Sequence, residues 1–211
     1  MRTKIDYQLI EEKLDEMYPN AHCELNYQTI FQLLIAVMLS AQTTDNSVNK
    51  VTPKLFELFP TPFDLANAKL EDVENCIKSL GLYKNKSKNL IEMSKIIVEK
   101  YNGNIPSNKE ELINLPGVGI KTASVVLVEG YKIPAFPVDT HVERISKRLG
   151  IAPEKASAIN VMEKLMKKYS SDKWGKLHHQ MIFFGRYTCK AQKPNCHECK
   201  LIEQCRYLKN K

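Results

Sequence analysis

Residues 115–123 (LPGVGIKTA) constrain the fold of this chain more strongly than any other segment. Gly117 and Gly119 flank a single apolar residue and follow Pro116, and glycine tolerates main-chain conformations with positive φ that other residues avoid. Such a segment is typical of a tight turn between two helices. Because no Cβ blocks access and the first N–H groups of a helix lack intrahelical acceptors, the turn could also grip a phosphate. An ordinary helix connection with close packing explains the glycines about equally well.

Helices are predicted on both sides of this turn. Residues 107–110 (SNKE) match a capping box with Ser107 as the N-cap, so a short helix should run from about residue 109 to residue 114 or 115. Residues 122–129 are rich in Ala, Val and Leu and predict a buried helix. A nucleotide-binding P-loop fits poorly, because that motif requires Gly directly before Lys and Ile120 stands there.

Lys121 would lie in the first turn of the second helix. Partial burial and the positive end of a helix both disfavour the ammonium form of a lysine. The uncharged amine is a nucleophile suited to Schiff-base chemistry. A solvated lysine, or one that contacts a phosphate, is the simpler interpretation, and the residues alone leave both open.

Asp139 follows a loop that contains Pro134 and Pro137. It is well placed to N-cap a helix over residues 140–149, which Gly150 would end. Capping accounts for an aspartate at this position. The same carboxylate could also face a substrate, so the two roles are compatible.

Four of the six cysteines lie within seventeen residues, separated by six, two and five residues: Cys189, Cys196, Cys199 and Cys205. Four thiolates this close can surround one metal centre, either zinc or an iron–sulfur cluster. The spacing departs from the paired short knuckles usual for zinc and therefore favours the cluster. Cys23 and Cys76 lie in apolar helical surroundings that predict inert core residues.

Apolar residues recur at helical spacing along the rest of the chain, and no alternating strand pattern extends beyond a few residues. The fold class is therefore predicted to be all-α. Pro53 lies either inside a kinked helix or at the first position of a new one. The predicted helices cover about residues 5–18, 27–39, 48–59, a short one after 61, 70–80, 90–101, 154–169 and 173–187.

The charge of the chain suits a polyanionic partner, as it does many other proteins. Lys and Arg number 31 against 24 Asp and Glu, which gives a net charge of +7. No apolar run is long enough for a transmembrane helix, and residues 1–4 (MRTK) lead into a charged segment rather than a secretory signal. An intracellular location is expected, where clustered cysteines argue for a metal or cluster rather than disulfides.

Several of these motifs, in this order and spacing, resemble the endonuclease III family of DNA glycosylase/AP lyases in the helix-hairpin-helix superfamily. Residues 115–123 are followed about eighteen residues later by Val-Asp-Thr-His, and the similarity extends from about residue 24 to residue 205. The resemblance implies that Lys121 is the amine nucleophile and Asp139 the catalytic carboxylate. It also implies that the four clustered cysteines hold one [4Fe–4S] cluster.

The resemblance implies two helical lobes with a cleft between them. A six-helix lobe would comprise residues 23–133 and contain the helix-hairpin-helix motif at about residues 107–130. Residues 1–22 and 134–211 would form the other lobe, with the cluster loop at residues 189–205. Lys121 and Asp139 would then lie on opposite walls of the cleft.

The implied partner is double-stranded DNA that contains a damaged base or an abasic site. The family suggests release of oxidised pyrimidines by a monomer, followed by β-elimination that cuts the strand 3′ to the abasic site, in the cytoplasm and at the nucleoid of a prokaryote. Gln42 and Leu82 match positions that fill the gap left by a flipped nucleotide. The predicted DNA-contact residues are Gln42, Leu82, Leu115, Gly117, Val118, Gly119, His141, Lys190 and Lys193.

Three alternatives compete with this interpretation. An adenine-mismatch glycosylase of the same superfamily would lack the hairpin lysine and carry a further C-terminal domain. A non-catalytic helix-hairpin-helix protein would not need Asp139 or a cluster. An iron–sulfur electron carrier would leave the phosphate-gripping hairpin unexplained.

Overall fold

The computed structural model describes residues 5–209. Residues 1–4, on which the prediction of no secretory signal rests, lie outside this part, as do residues 210 and 211. Between residues 5 and 209 the regular structure is helical with no strand, so the predicted all-α class is confirmed. In the same range, none of the helices has the length and apolar character that a membrane crossing requires.

The α-helices follow one another through short connections. They are α1 (Tyr7–Met17), α2 (Ile30–Leu39), α3 (Asp45–Leu58), α4 (Pro62–Ala66), α5 (Leu70–Ile77), α6 (Tyr83–Tyr101), α7 (Lys109–Ile113), α8 (Ile120–Val125), α9 (Thr140–Arg148), α10 (Ala158–Met166), α11 (Trp174–Phe183) and α12 (Arg206–Lys209). π-helical turns extend α8 through Val126–Gly130 and α11 through Phe184–Thr188.

The described residues divide into two compact units. The central unit comprises residues 24–133 and contains α2 to α8. The terminal unit joins residues 5–23 to residues 134–209 and contains α1 and α9 to α12. Each unit has its own buried residues.

The central unit is built around α2, whose residues from Phe31 to Leu39 are all buried. The helix starts at Ile30 rather than at residue 27 because the Thr29 hydroxyl accepts from the N–H of Gln32 and caps it. Helix α3 runs through Pro53 without a break, so the alternative with a new helix starting at Pro53 is wrong.

Helices α4 to α6 follow their local capping signals. Thr61 and Asp64 form the capping box of α4. Helix α5 ends at Ile77, three residues before the predicted end, and α6 begins at Tyr83 rather than near residue 90. The polar segment at the start of α6 hides its helical character from an analysis of apolar spacing.

The hairpin helices are shorter than predicted, and one cap is different. The N-cap of α7 is Asn108, not Ser107: the Asn108 side chain accepts from the N–H of Glu111 at 2.8 Å and donates to its carboxylate. The capping pattern fits this sequence at two offsets, and asparagine caps at least as well as serine. Helix α8 is followed by a π-helical turn instead of continuing regularly to residue 129.

The terminal unit has one hydrophobic core. Helix α1, N-capped by Asp6, buries Ile10 and Leu14 in it. Helix α10 begins after its cap Ser157 and is therefore shorter than the predicted residues 154–169. The other fully or nearly buried apolar residues of this core include Phe136, Val142, Ile145, Val161, Leu165, Met181 and Phe184.

The two isolated cysteines have different surroundings. Cys76 is buried in α5, as predicted for a core residue. Cys23 is only half-buried and lies outside the helices, so its placement in a helical core is wrong. The segment between α1 and α2 lacks regular structure, which the apolar surroundings of Cys23 did not reveal.

Candidate active site and DNA interface

The glycine turn between α7 and α8 brings main chain to the surface. Gly117 has a positive φ of 77°, and a Cβ there would lie 2.7 Å from Met38 Cε and 3.0 Å from Asn89 Nδ2. Only glycine therefore fits without displacing these side chains. Gly117 and Gly119 are exposed, whereas the side chains of Leu115 and Val118 are buried. Any contact of Leu115 or Val118 with DNA has to be made through the main chain.

Lys121 is the second residue of α8, one position after Ile120. The N-cap of the helix is Gly119, which has no side chain to satisfy the N–H groups of the first turn. Lys121 is half-buried, and no group within residues 24–133 forms an ion pair or hydrogen bond with its Nζ. The amine is thus held near the exposed glycines and is not engaged by a carboxylate of its own unit.

Asp139 caps α9 with one of its carboxylate oxygens. Oδ1 accepts from the N–H groups of His141 and Val142, both at 2.9 Å, which confirms the predicted N-cap. Within the described residues of the terminal unit, Oδ2 accepts no hydrogen bond, and the side chain is half-buried. The carboxylate can therefore hold the helix end and still offer an oxygen to another group.

His141 lies in the first turn of α9, and its ring packs against Gly185. A Cβ on Gly185 would lie 2.8 Å from His141 Nδ1, so glycine is needed for this approach. Burial lowers the pKa of His141, the Asp139 carboxylate opposes this shift, and the guanidinium groups of Arg144 and Arg186 reinforce it. The net effect favours the uncharged ring.

Gln42 and Leu82 both project from loops of the central unit. Gln42 follows α2 with a φ of 55°, and Leu82 precedes α6 with a φ of 59°. Both side chains are exposed, and Leu82 is 59% exposed, the largest fraction among the large apolar residues described. A leucine held in a left-handed conformation and turned to solvent contributes little to packing, and its role as a wedge stays a prediction.

The four clustered cysteines line one cavity at the end of the terminal unit. None of the four forms a disulfide, and each is half-buried. Burial raises the pKa of the Cys199 thiol to about 11. A main-chain hydrogen bond with Leu201 opposes this shift, and the neighbouring Cys189, Cys205 and Cys196 add to it. The thiolate form thus needs a cationic group to stabilise it, as metal ligation would.

The chemistry of this lining agrees with a thiolate-ligated group. Four cysteine side chains share one cavity, and thiolates are the ligands of both structural zinc sites and iron–sulfur clusters. Among residues 5–209, no group of three or more His, Cys, Asp or Glu side chains forms a preassembled metal site.

Two arginines of α9, which the sequence analysis missed, hold the main chain of the cluster loop. Arg144 Nη2 donates to Gly185 O at 2.9 Å and to Cys189 O at 3.1 Å. Arg148 Nη1 donates to Cys189 Sγ at 3.3 Å and to Lys190 O at 2.7 Å. The helix that Asp139 caps therefore also anchors the loop that carries the exposed Lys190 and Lys193. Basic residues four apart on a helix give no sequence signal for such a role.

The fold and the hairpin define the class of protein. Residues 35–171 match the family model of the HhH-GPD superfamily base excision DNA repair protein. A thermostable thymine-DNA glycosylase, 20% identical, has the same fold with a TM-score of 0.87 over 97% of both chains.

Relatives and solved structures narrow this class. Endonuclease III of Bacillus subtilis is 50% identical over 92% of this chain and 89% of its own length, and that of Thermotoga maritima is 43% identical over 96% and 95%. A trapped endonuclease III–DNA covalent intermediate is 49% identical with a TM-score of 0.93, and the match covers 98% of this chain and 99% of the other. The chain belongs to the endonuclease III family.

Membership in this family gives the chain its activity class. The chain is a DNA glycosylase/AP lyase of base excision repair. The alternatives, a monofunctional mismatch glycosylase and a non-catalytic DNA-binding protein, are both less favoured.

Proposed function

We propose that this enzyme releases oxidised pyrimidines, such as thymine glycol and oxidised cytosines, from duplex DNA and then cuts the strand 3′ to the abasic site. The observation that supports this most directly is Lys121, half-buried in the first turn of α8, just after two exposed glycines and without an ion pair in its own unit. This segment places a nucleophilic amine next to a glycine turn whose main chain a phosphate can approach.

Lys121 acts as the nucleophile on a flipped nucleotide, because a base inside the duplex is out of reach of a side chain. Its uncharged amine attacks C1′, a C1′–N bond forms, and the glycosidic bond to the damaged base breaks. Ring opening gives a Schiff base between Lys121 and C1′. The Schiff base acidifies C2′; loss of a C2′ proton then expels the 3′ phosphate by β-elimination, and water later releases the enzyme.

Asp139 assists this chemistry through the carboxylate oxygen that does not cap α9. A negative charge near C1′ stabilises the positive charge that develops on the sugar, and the carboxylate can also take part in proton transfer. A tight ion pair with Lys121 would raise the pKa of the lysine and hinder attack. We therefore propose that Asp139 acts on the sugar rather than directly on the amine.

The DNA is held by several parts of the chain. Gln42 and Leu82 fill the gap left by the flipped nucleotide, and the main chain of the glycine turn contacts phosphates. His141, Lys190 and Lys193 add contacts from the terminal unit. A [4Fe–4S] cluster, held by Cys189, Cys196, Cys199 and Cys205, would supply structural support for the loop that carries the two lysines.

We further propose that the enzyme works as a monomer on chromosomal DNA in the cytoplasm of a prokaryote. The net charge of +7 suits such a polyanionic partner. The relatives described above are bacterial.

A trapping experiment on a set of duplexes tests the proposed substrate class. Each duplex carries thymine glycol, an oxidised cytosine, 8-oxoguanine, a mismatched adenine or an abasic site, with borohydride present to reduce any Schiff base. The proposal expects covalent complexes with the oxidised pyrimidines and the abasic site. Trapping on the purine lesions but not on the oxidised pyrimidines contradicts the substrate assignment, and no trapping on any duplex contradicts the lyase mechanism.

A further inference from the structure

Lys86 is a buried lysine that no step of the proposed reaction uses. It lies in the first turn of α6 and is only 8% exposed. Its ammonium group donates three hydrogen bonds, each 2.9 Å long, to the main-chain oxygens of Leu39 and Ala41 and to the hydroxyl of Thr43. An ammonium group has three donors, so all of them are used.

The three acceptors surround the loop that carries Gln42. Ala41 and Thr43 are its immediate neighbours, and Leu39 is the last residue of α2. Gln42 itself has a positive φ of 55°, a conformation that a non-glycine residue adopts only when its surroundings impose it. A positive charge at the C-terminal end of α2 also interacts favourably with that helix end. Lys86 therefore holds the main chain on both sides of Gln42.

The main chain of Lys86 is tied to the second inserting residue. Its N–H donates to the carbonyl oxygen of Leu82 at 3.0 Å and so closes the first turn of α6. No side chain caps this helix, and Leu82 at the N-cap has a φ of 59°. One residue thus bonds through its main chain to the Leu82 loop and through its side chain to the Gln42 loop.

The same helix also supports the glycine turn. Asn89, three residues after Lys86, packs so closely against Gly117 that a Cβ there would lie 3.0 Å from Asn89 Nδ2. Positions 82, 86 and 89 share one face of α6, because residues three and four apart are neighbours on a helix. The start of α6 therefore joins three segments that the proposed function assigns to DNA contact.

Packing alone does not explain a lysine at this site. Burial lowers the pKa of Lys86, since it disfavours the charged form. Burying a charge is unfavourable unless hydrogen bonds compensate, and an apolar residue would fill the same space without that penalty. What an apolar residue lacks is the ability to bond three oxygens in fixed directions.

We propose that Lys86 is a positioning residue that fixes the Gln42 loop against the Leu82 loop, so that both side chains enter a damaged duplex together. This inference rests on the proposed insertion of Gln42 and Leu82. Without the three hydrogen bonds of the ammonium group, the Gln42 loop loses its fixed orientation. The enzyme still binds duplex DNA through its phosphate contacts, but it no longer prefers a duplex with a missing base over an intact one.

The test compares binding to two duplexes of the same sequence, one intact and one with a tetrahydrofuran analogue of an abasic site. The dissociation constant for the intact duplex, divided by that for the tetrahydrofuran duplex, measures discrimination. The fluorescence of 2-aminopurine placed opposite the analogue reports displacement of the opposing base. Because a misplacement of about 1 Å can cost about a hundredfold in well-organised sites, we expect Lys86→Met to lower the ratio by roughly tenfold. The fluorescence change at saturation should also fall, while binding to the intact duplex stays within about twofold.

Three further variants complete the experiment. Lys95→Met, an exposed lysine on the same helix, should keep the wild-type ratio. Thr43→Val removes one acceptor and serves if Lys86→Met does not fold; it should lower the ratio in the same way but less. Lys86→Arg keeps the charge and should restore part of the ratio lost in Lys86→Met.

The inference is overturned if the ratio stays unchanged in both Lys86→Met and Thr43→Val. If it stays unchanged because binding to the two duplexes weakens equally, Lys86 only stabilises the fold. A wild-type enzyme that does not prefer the tetrahydrofuran duplex would instead contradict the proposed insertion of Gln42 and Leu82. The failure of the inference and the failure of the proposed function are therefore distinguishable.

Discussion

At the scale of single residues, Asp139 has one observed role, as the N-cap of α9, and one proposed role, in catalysis. Oδ1 caps α9, and Oδ2 accepts no hydrogen bond in the described part of the terminal unit. Asparagine keeps a side-chain oxygen that can cap, but it has no charge. Substitutions at this position can therefore distinguish the capping role from the proposed role in catalysis.

Asp139→Asn and Asp139→Ala should differ in stability but should both slow base release. Asp139→Asn should unfold close to the wild-type temperature and release bases much more slowly, because the cap remains and the charge is lost. Asp139→Ala should lose in addition about 1 kcal/mol of unfolding free energy, the usual value of an N-cap. Thermal unfolding and single-turnover base release measure the two effects. A wild-type rate of base release in Asp139→Asn would limit the residue to capping.

Residue-level prediction from the sequence succeeded at the N-cap of α9, where Asp139 stands between a proline-containing loop and the helix. The cap of α7 was assigned one residue too early, because Ser107 and Asn108 each have a Glu three positions later. Lys86 gave no signal, since a lysine in a polar stretch of helix is normally exposed.

At the scale of elements, hydrogen bonds join α9 to the loop of residues 189–205. Arg144 and Arg148 donate to carbonyl oxygens between residues 185 and 191, so the loop is anchored at several points. Lys190 and Lys193 are exposed on this loop, and Lys193 has a positive φ of 46°. This placement suits contacts to DNA phosphates, which are independent of sequence.

Replacing Lys190 and Lys193 together by alanine should weaken DNA binding equally for damaged and undamaged duplexes. Each phosphate contact contributes about 0.9 to the slope of log affinity against log salt, so the slope should become shallower by about 2. Binding titrations at several salt concentrations measure this. Lys155→Ala, an exposed lysine outside the loop, is the control. An unchanged salt slope in the double variant would show that the loop does not contact phosphates.

The spacing of apolar residues predicted that the helices exist, but it did not predict where several of them begin and end. α6 starts about two turns earlier than predicted, because its first residues are polar. α10 starts later than predicted, because Ser157 offers a cap inside the predicted range. It also ends earlier, at Met166. The π-helical turns after α8 and α11 are set by packing, which a periodicity analysis does not contain.

At the scale of the whole molecule, spacing alone gave the all-helical class, whereas the activity came from the order of several motifs. The glycine turn, the aspartate that caps α9 and the four cysteines each have simpler explanations when taken alone. Their combination is specific to one family, and the relatives at 43–50% identity confirm it. The preferred lesion depends on the shape of the base pocket, which the motifs do not encode.

The proposed cluster predicts a whole-molecule effect of Cys199→Ser. The variant should lose the visible absorbance of an iron–sulfur cluster, bind fewer than about four iron atoms per chain and unfold at a lower temperature, because the loop loses its common centre. Cys76→Ser, which changes a buried cysteine in α5, should keep its iron. Iron and sulfide analysis with absorbance spectra measures the outcome. Purified wild-type protein that contains zinc instead of iron would contradict the cluster.

The most direct test of the central claim is borohydride trapping by Lys121→Gln on a duplex with one abasic site. We expect no covalent complex, since the amide cannot form a Schiff base, while binding to a tetrahydrofuran duplex stays within about twofold of wild type. Lys109→Gln, which changes the first residue of α7, should trap DNA as the wild type does. A Lys121→Gln enzyme that still forms the complex would show that another amine is the nucleophile.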